Sequence, residues 1–251
     1  PGGGVVLDLL EHRFPDAEII GVELSREVVD ALARRAHDGG RRWRVVHGGA
    51  EQLAQLVPGP VHGVVCCSIL HEVYSYTEPR FQLASIERVV RAAFEALAPG
   101  GRLVIRDGVM PPPGTRRLQL LAADAGPAFD LYVAQFEGRA IRHREVPGDV
   151  RTVELSTADA MEFLYTYVWG PASFPYEVRE LYGVMTYDDY VAHLRAWCGE
   201  RARVLALPPA LRSYLQPGYA RHLRDRIALL DEHGRPTELP DSNCLIAIEK
   251  A

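Results

Sequence analysis

Residues 94–108 read FEALAPGGRLVIRDG. The apolar spacing of a long helix, roughly Arg80 to Leu97, runs into Pro99-Gly100-Gly101, which cannot continue it. Arg102–Arg106 then resume as an apolar strand that ends on Asp107 and Gly108. The same alternation repeats upstream. Helix 5–14 is stopped by Pro15, and Glu18–Leu24 (EIIGVEL) is a short apolar strand. Ser25 caps the helix REVVDALARRAHDGG, which Gly39 and Gly40 close. Arg42–His47 reads as a strand, AEQLAQL as a short helix, and His62–Leu70 (HGVVCCSIL) as a nearly continuous apolar strand of the kind buried on both faces of a parallel sheet. Five such units in so short a span predict an open, doubly wound α/β sheet.

Downstream the regularity breaks at Pro111–Pro113. From Thr186, TYDDYVAHLRAWCG is a capped amphipathic helix, RARVLALP a strand and SNCLIAIEK a final apolar strand. The expected architecture is therefore one mostly parallel seven-stranded sheet with an antiparallel edge strand. Residues 1–110 form its cofactor-binding half, 111–185 an aromatic-rich insertion or lid after the fifth strand, and 186–251 complete the sheet. A glycine-rich turn entering a helix normally follows a strand, so the opening PGGG predicts a first strand upstream of Pro1.

Composition agrees with one well-filled domain. The chain has 251 residues, 47% of them hydrophobic and 24% charged, with a formal charge of -5. That balance argues against disorder and against indiscriminate nucleic-acid binding. No apolar run is long enough to span a bilayer and no basic start precedes an apolar stretch, so a cytoplasmic protein is expected. Among 28 basic residues only Lys250 is lysine, a bias that reads as coding composition. Cys66, Cys67, Cys198 and Cys244 lack metal-ligand spacing, which predicts buried thiols and no metal site.

Ligands bind such sheets beyond the carboxyl ends of the strands. The residues there are Gly2, Gly3 and Gly4, Glu23 with Leu24, Gly49, Ala50 and Glu51, Ser68, His71 and Glu72, and Asp107. Glycines at a turn let a ligand approach backbone N–H groups, and a carboxylate at Glu23 is placed to accept two ribose hydroxyls. Together they point to a nucleoside cofactor.

At this point the chain resembles the class I S-adenosylmethionine-dependent methyltransferases. The resemblance rests on residues 2–4, the strand ending at Glu23, GGAEQL, VVCCSILHEV and FEALAPGGRLVIRDG. It covers 1–110 well, 186–251 loosely and the intervening segment scarcely at all. It implies S-adenosyl-L-methionine as cofactor and S-adenosyl-L-homocysteine as product. It also implies a methionine site at the glycine turn, ribose hydroxyls on Glu23, and adenine near Gly49, Ala50 and Glu51. Leu24 and Ser68 belong to the same cofactor set.

Methyl transfer needs alignment and, for a protonated nucleophile, a base. His71 is the candidate base, with Glu72 to orient it or bind an amine; alternatively His71 caps the strand or packs under the cofactor. Asp107 is the competing acid or substrate ligand. Tyr165, Tyr167 and Trp169 alternate as on one face of an extended segment, and Tyr176, Tyr214 and Tyr219 complete a candidate aromatic substrate wall, or else a small core beneath the insertion. Arginines at 139, 142, 144 and 151, and at 212, 221, 224 and 226, offer phosphate or carboxylate forks or a merely solvated face, since acids interrupt both groups. The leading expectation is methyl transfer to oxygen or nitrogen of a small molecule. RNA or nucleotide methylation and a noncatalytic binding protein on the same fold are the alternatives.

Overall fold

The computed structural model describes residues 2–205 and 215–251. The first unit holds α1 (Val5–Arg13), β1 (Ile20–Glu23), α2 (Arg26–Asp38) and β2 (Arg44–His47). Gly4 precedes α1 at φ 79°, and a Cβ there would press on Arg35 and Leu32, so glycine is required twice over. Ser25 Oγ accepts from Val28 N at 3.4 Å, the expected cap of α2. β1 and β2 pair in parallel from Ile20 opposite Arg44 to Glu23 opposite His47. Leu7, Ile19, Leu32 and Trp43 form a small core of their own. Trp43 satisfies its indole N–H on Asp8 Oδ1 at 3.0 Å, as a buried indole must.

After α3 (Leu53–Leu56) come β3 (Val61–Cys67), α4 (Leu70–Tyr76), α5 (Leu83–Glu95) and β4 (Leu97–Gly108). On α5, Ile86, Val89, Val90, Ala93 and Phe94 fall at helical spacing and all are buried. β3 lies parallel to β4, where Leu103 and Ile105 are fully buried. The strand read as buried on both faces is covered on one side only: Val65 is 42% exposed and Cys67, expected to be a buried thiol, is exposed. The strand also stops at Cys67, short of the expected Leu70. The apolar run continues into α4, because Ser68 turns the chain at φ 53° and residues from Leu70 onward wind into a helix.

The next stretch supplies β5 (Thr115–Leu120), α6 (Ala125–Gln135), β6 (His143–Val146), β7 (Thr152–Ser156), α7 (Thr157–Val168) and α8 (Phe174–Glu177). α9 (Tyr187–Cys198) follows, then β8 (Ala202–Leu205), β9 (Ile227–Leu230) and β10 (Asn243–Lys250). Thr186 and Asp189 close a capping box on α9.

The single seven-stranded sheet is not what these strands make. They form three hydrogen-bonded sheets: β1-β2, then β3-β4-β10-β8, then β6-β7-β5-β9. In the second, β10 runs antiparallel to both neighbours and sits inside the sheet, so the expected antiparallel edge strand is an internal one. The third is wholly antiparallel, as strands joined by short connections can be, and β9 enters it from the C-terminal segment. One large core lies between the second and third sheets, from Leu70 and Phe94 through Phe129 and Phe163 to Ile246. No helix among the described residues is long and apolar enough to cross a membrane.

Candidate active site

β4 ends with the carboxylate of Asp107, fully buried and surrounded by donors. Its Oδ2 accepts from Ile69 N at 3.0 Å and Leu70 N at 2.7 Å, which satisfies the start of α4. Its Oδ1 accepts from Gly108 N at 2.8 Å and lies 2.5 Å from His71 Nδ1. Asp107 thereby starts the helix that carries His71 and fixes the imidazole at once. Burial alone would raise its pKa, yet His71 and the backbone N–H groups hold it below the usual carboxylate range.

His71 is 3% exposed and its Nε2 lies 3.6 Å from Glu180 Oε2. Burial opposes its protonation, but Asp107 first and Glu180 next outweigh that cost and lift its pKa to about 9. The ring stacks on Tyr182 at 4.5 Å between centroids, and Tyr182 stacks in turn on Tyr165 at 4.8 Å. Tyr182 is held at every end. Its N–H donates to buried Glu162, its hydroxyl donates to Glu177 at 2.5 Å, and its carbonyl approaches Gly108 so closely that a Cβ there would run into it. Glu162 also accepts from Gly183 N at 2.7 Å.

These groups border a cavity of about 260 Å³ lined by Ser68, His71, Glu72, Gly108, Trp169, Tyr182 and Asn243. Asn243 reaches it because β10 places it opposite Gly108 in register. Burial pushes Glu72 up, and Glu180, Asp107 and Glu23 add to that, although His71 opposes it. Ser68 accepts from Arg106 through its hydroxyl.

The cofactor candidates gather around the first strand. Glu23 is partly buried and its Oε1 accepts from Ser25 N at 2.8 Å. Burial raises its pKa, but backbone N–H groups of Ser25 and Gly2 help to hold it below the ordinary value. Leu24 beside it is 73% exposed, an apolar face next to an ionised carboxylate. A Cβ on Gly2 or Gly3 would meet nothing within 4 Å, so that backbone is open to approach. Gly49 donates to Gln52 at 3.2 Å and is covered by the Glu51 carboxylate, with Ala50 packed toward the large core. An acceptor-only carboxylate, an exposed apolar side chain and an open glycine turn together fit a ribose, a base and a methionine moiety.

The aromatic candidates separate. Tyr165, Tyr167 and Trp169 do not lie on an extended segment: the first two are on α7, and Trp169 caps its C-terminus. Helical spacing turns Tyr167 away from the face shared by Tyr165 and Trp169, and of the three only Trp169 lines the cavity. Tyr165 is buried and donates to Ser242 O at 2.6 Å, and Tyr167 meets Asp124 and Arg226. Tyr176 is 64% exposed outside the lining, and Tyr219 donates to Ile227 O at 2.7 Å. Tyr214 and Arg212 lie outside the described residues. Tyr182 belongs to the aromatic segment that the sequence offers as a lid, whereas nothing in the sequence marks Asn243, Glu177 or Glu180 as site residues. Within the arginine groups, Arg139 pairs with Asp159 at 2.7 Å, Arg144 with Glu154 at 2.6 Å, Arg151 with Asp130 at 2.7 Å, and Arg226 with Asp124.

Residues 1–103 match the family model described as a methyltransferase domain. The family model thus places a methyltransferase domain in the first 103 of the 251 residues. Among solved structures it is similar to an S-adenosylmethionine-dependent methyltransferase from Clostridium acetobutylicum ATCC 824, at 9% identity and TM-score 0.51, over 100% of this chain and 81% of the other. It is also similar to an O-methyltransferase from neocarzinostatin biosynthesis, in complex with S-adenosyl-L-homocysteine and 1,4-dihydroxy-2-naphthoic acid. There the identity is 15% and the TM-score 0.47, over 100% of this chain and 47% of the other. A plantazolicin methyltransferase in complex with a triazolic desmethylPZN analog and S-adenosyl-L-homocysteine aligns over 99% of this chain and 74% of its own, at 11% identity and TM-score 0.49. No curated protein sequence matches the chain.

Proposed function

We propose that the chain is an S-adenosylmethionine-dependent methyltransferase that moves a methyl group to an oxygen or nitrogen of a small molecule seated in the cavity beside His71. The observation that supports it most is the pairing of a lined cavity with an imidazole whose Nδ1 is fixed by a buried carboxylate. S-adenosylmethionine, when bound, supplies an electrophilic methyl carbon, and the carbon–sulfur pair returns to sulfur to leave S-adenosylhomocysteine. Gly2, Gly3, Gly4, Glu23, Leu24, Gly49, Ala50, Glu51 and Ser68 would hold it, with Glu23 on the ribose hydroxyls. Residues 1–110 thus serve the cofactor, 111–185 supply the acceptor wall through Trp169 and Tyr182, and 186–251 add Asn243.

In this reading Asp107 keeps the Nδ1 proton in place and His71 takes the acceptor's proton at Nε2 as the acceptor lone pair closes on the methyl carbon. Tyr182 and Trp169 exclude water from that path. Because the imidazole is protonated up to about pH 9, activity should rise with pH toward that value. The test is a methyl-transfer assay on phenols, carboxylates and amines with methyl-labelled cofactor. His71→Asn should lower kcat by roughly 10²- to 10⁴-fold and flatten the rise with pH. An unchanged kcat and pH profile in that variant would remove His71 from the chemistry. Glu23→Ala should weaken S-adenosylhomocysteine binding by about 10- to 100-fold in calorimetry.

A further inference from the structure

We propose that the acceptor cavity selects a positively charged molecule, an ammonium or guanidinium compound small enough to lie between Trp169 and Tyr182, with Glu72, Glu177 and Glu180 setting that preference. The proposal rests on the reading of this cavity as the methyl-acceptor site and specifies what enters it.

The charged groups around the cavity come from three elements. α4 brings His71 and Glu72, the end of β4 brings Asp107 and Arg106, and α8 with the turn after it brings Glu177 and Glu180. Asp107 offsets the imidazolium of His71, and Arg106 donates to Ser68. Arg139 is matched by Asp159, and Arg179 sits 3.8 Å from Glu137 and over the Tyr76 ring. Among the described residues no arginine or lysine forms an ion pair with Glu72, Glu177 or Glu180. Two of these carboxylates are nevertheless tied to the cavity by contact: Glu177 holds the Tyr182 hydroxyl, and Glu180 faces His71 Nε2. Glu72 lines the cavity itself.

Burial first, and the neighbouring carboxylates next, push Glu72 up and Glu177 up to about 7, so both give up part of their charge unless a cation stands beside them. A cation entering there supplies the missing partner, whereas an anion meets Glu72 in the lining with Glu177 and Glu180 behind Tyr182 and His71. The remaining walls suit the same ligand. Tyr182 is fixed by its stacks on His71 and Tyr165, and Trp169, 49% exposed, is a ring of the lining that a cationic group can approach.

The experiment is calorimetric titration of the full chain, with and without S-adenosylhomocysteine, using three phenols of matched size: tyramine, p-cresol and 4-hydroxyphenylacetate. Tyramine is expected to bind at least about tenfold more tightly than p-cresol, with the carboxylate weakest. In the Glu177→Gln, Glu180→Gln double variant the advantage should shrink below about threefold, while affinity for S-adenosylhomocysteine stays that of the parent and reports an intact fold. Equal or better binding of the neutral or anionic phenol overturns the proposal, as does binding of none of the three, or a tyramine preference that survives both substitutions. Loss of S-adenosylhomocysteine binding by the parent chain would instead strike the function on which the proposal rests. The charge comparison without that nucleoside still decides the preference itself.

Discussion

At neutral pH the His71 imidazole is charged in this fold, and that single proton links the site to the stability of the chain. Its folded pKa, about 9, stands above the ordinary histidine value. Its stabilisation is therefore complete below about pH 6.5 and is lost as pH rises through the folded value. Asp107 has the opposite sign: its lowered pKa gives stability at neutral pH that disappears on acidification. The urea midpoint of the parent chain should fall between about pH 6 and pH 10 more steeply than that of His71→Asn. Parallel curves would show that the pair does not carry the proton in the folded state. The residue type and place of His71 and Asp107 were legible in the sequence. Their contact was not, because it joins positions 36 residues apart.

At the scale of elements, α5 shows how one rare residue can be explained. The lone lysine read as a trace of coding composition, but Lys250 has a structural task. Its buried ammonium donates to the carbonyls of Phe94, Glu95 and Leu97 at 3.1, 2.9 and 2.8 Å. Those carbonyls are the unsatisfied acceptors at the end of α5 and just beyond it, where a cation also meets the negative end of the helix. Three donors on one tetrahedral nitrogen can reach converging acceptors that a planar guanidinium cannot. Lys250→Met should cost about 1–3 kcal/mol in chemical denaturation, and Lys250→Arg should fail to recover most of it. Full recovery by arginine would reduce the role to charge alone. The cap of α9 gives a milder case, and Thr186→Ala should cost roughly 1 kcal/mol by the same measurement. A similar signal was available for α7, where Ser156 Oγ accepts from Asp159 N at 3.0 Å. Alternating aromatics suggested an extended segment there, and the cap three residues ahead of Asp159 pointed to the helix that forms.

Across the whole molecule, the site lies where the end of the second sheet meets the helical segment carried by the third. The end of β4 belongs to the second sheet, α7 packs on β5 and β7 of the third and α8 packs on α7, and the close approach of Gly108 to the Tyr182 carbonyl is the seam. Gly108→Ala places a Cβ against that carbonyl and should cost roughly 1–3 kcal/mol in urea unfolding. It should also shift Tyr182 from His71, which His71 ring resonances in NMR would report. Neutral behaviour in both would mean that the seam can open without loss.

By itself the sequence determined the local units: the strand–helix alternation of the first hundred residues, the capped helices, and the polar residues at strand ends, all fixed by periodicity and turn chemistry within short windows. It also carried an unused hairpin signal, Pro147-Gly148-Asp149 between two short strands. Only the tertiary structure decided which strands share a sheet, that His71 lies in the first turn of a helix, and that Tyr182 and Asn243 line one cavity, with Glu177 and Glu180 against Tyr182 and His71. Strand pairing and carboxylate–imidazole contact join residues far apart in the chain. Their energy depends on burial and on charges that become neighbours only once the core has closed.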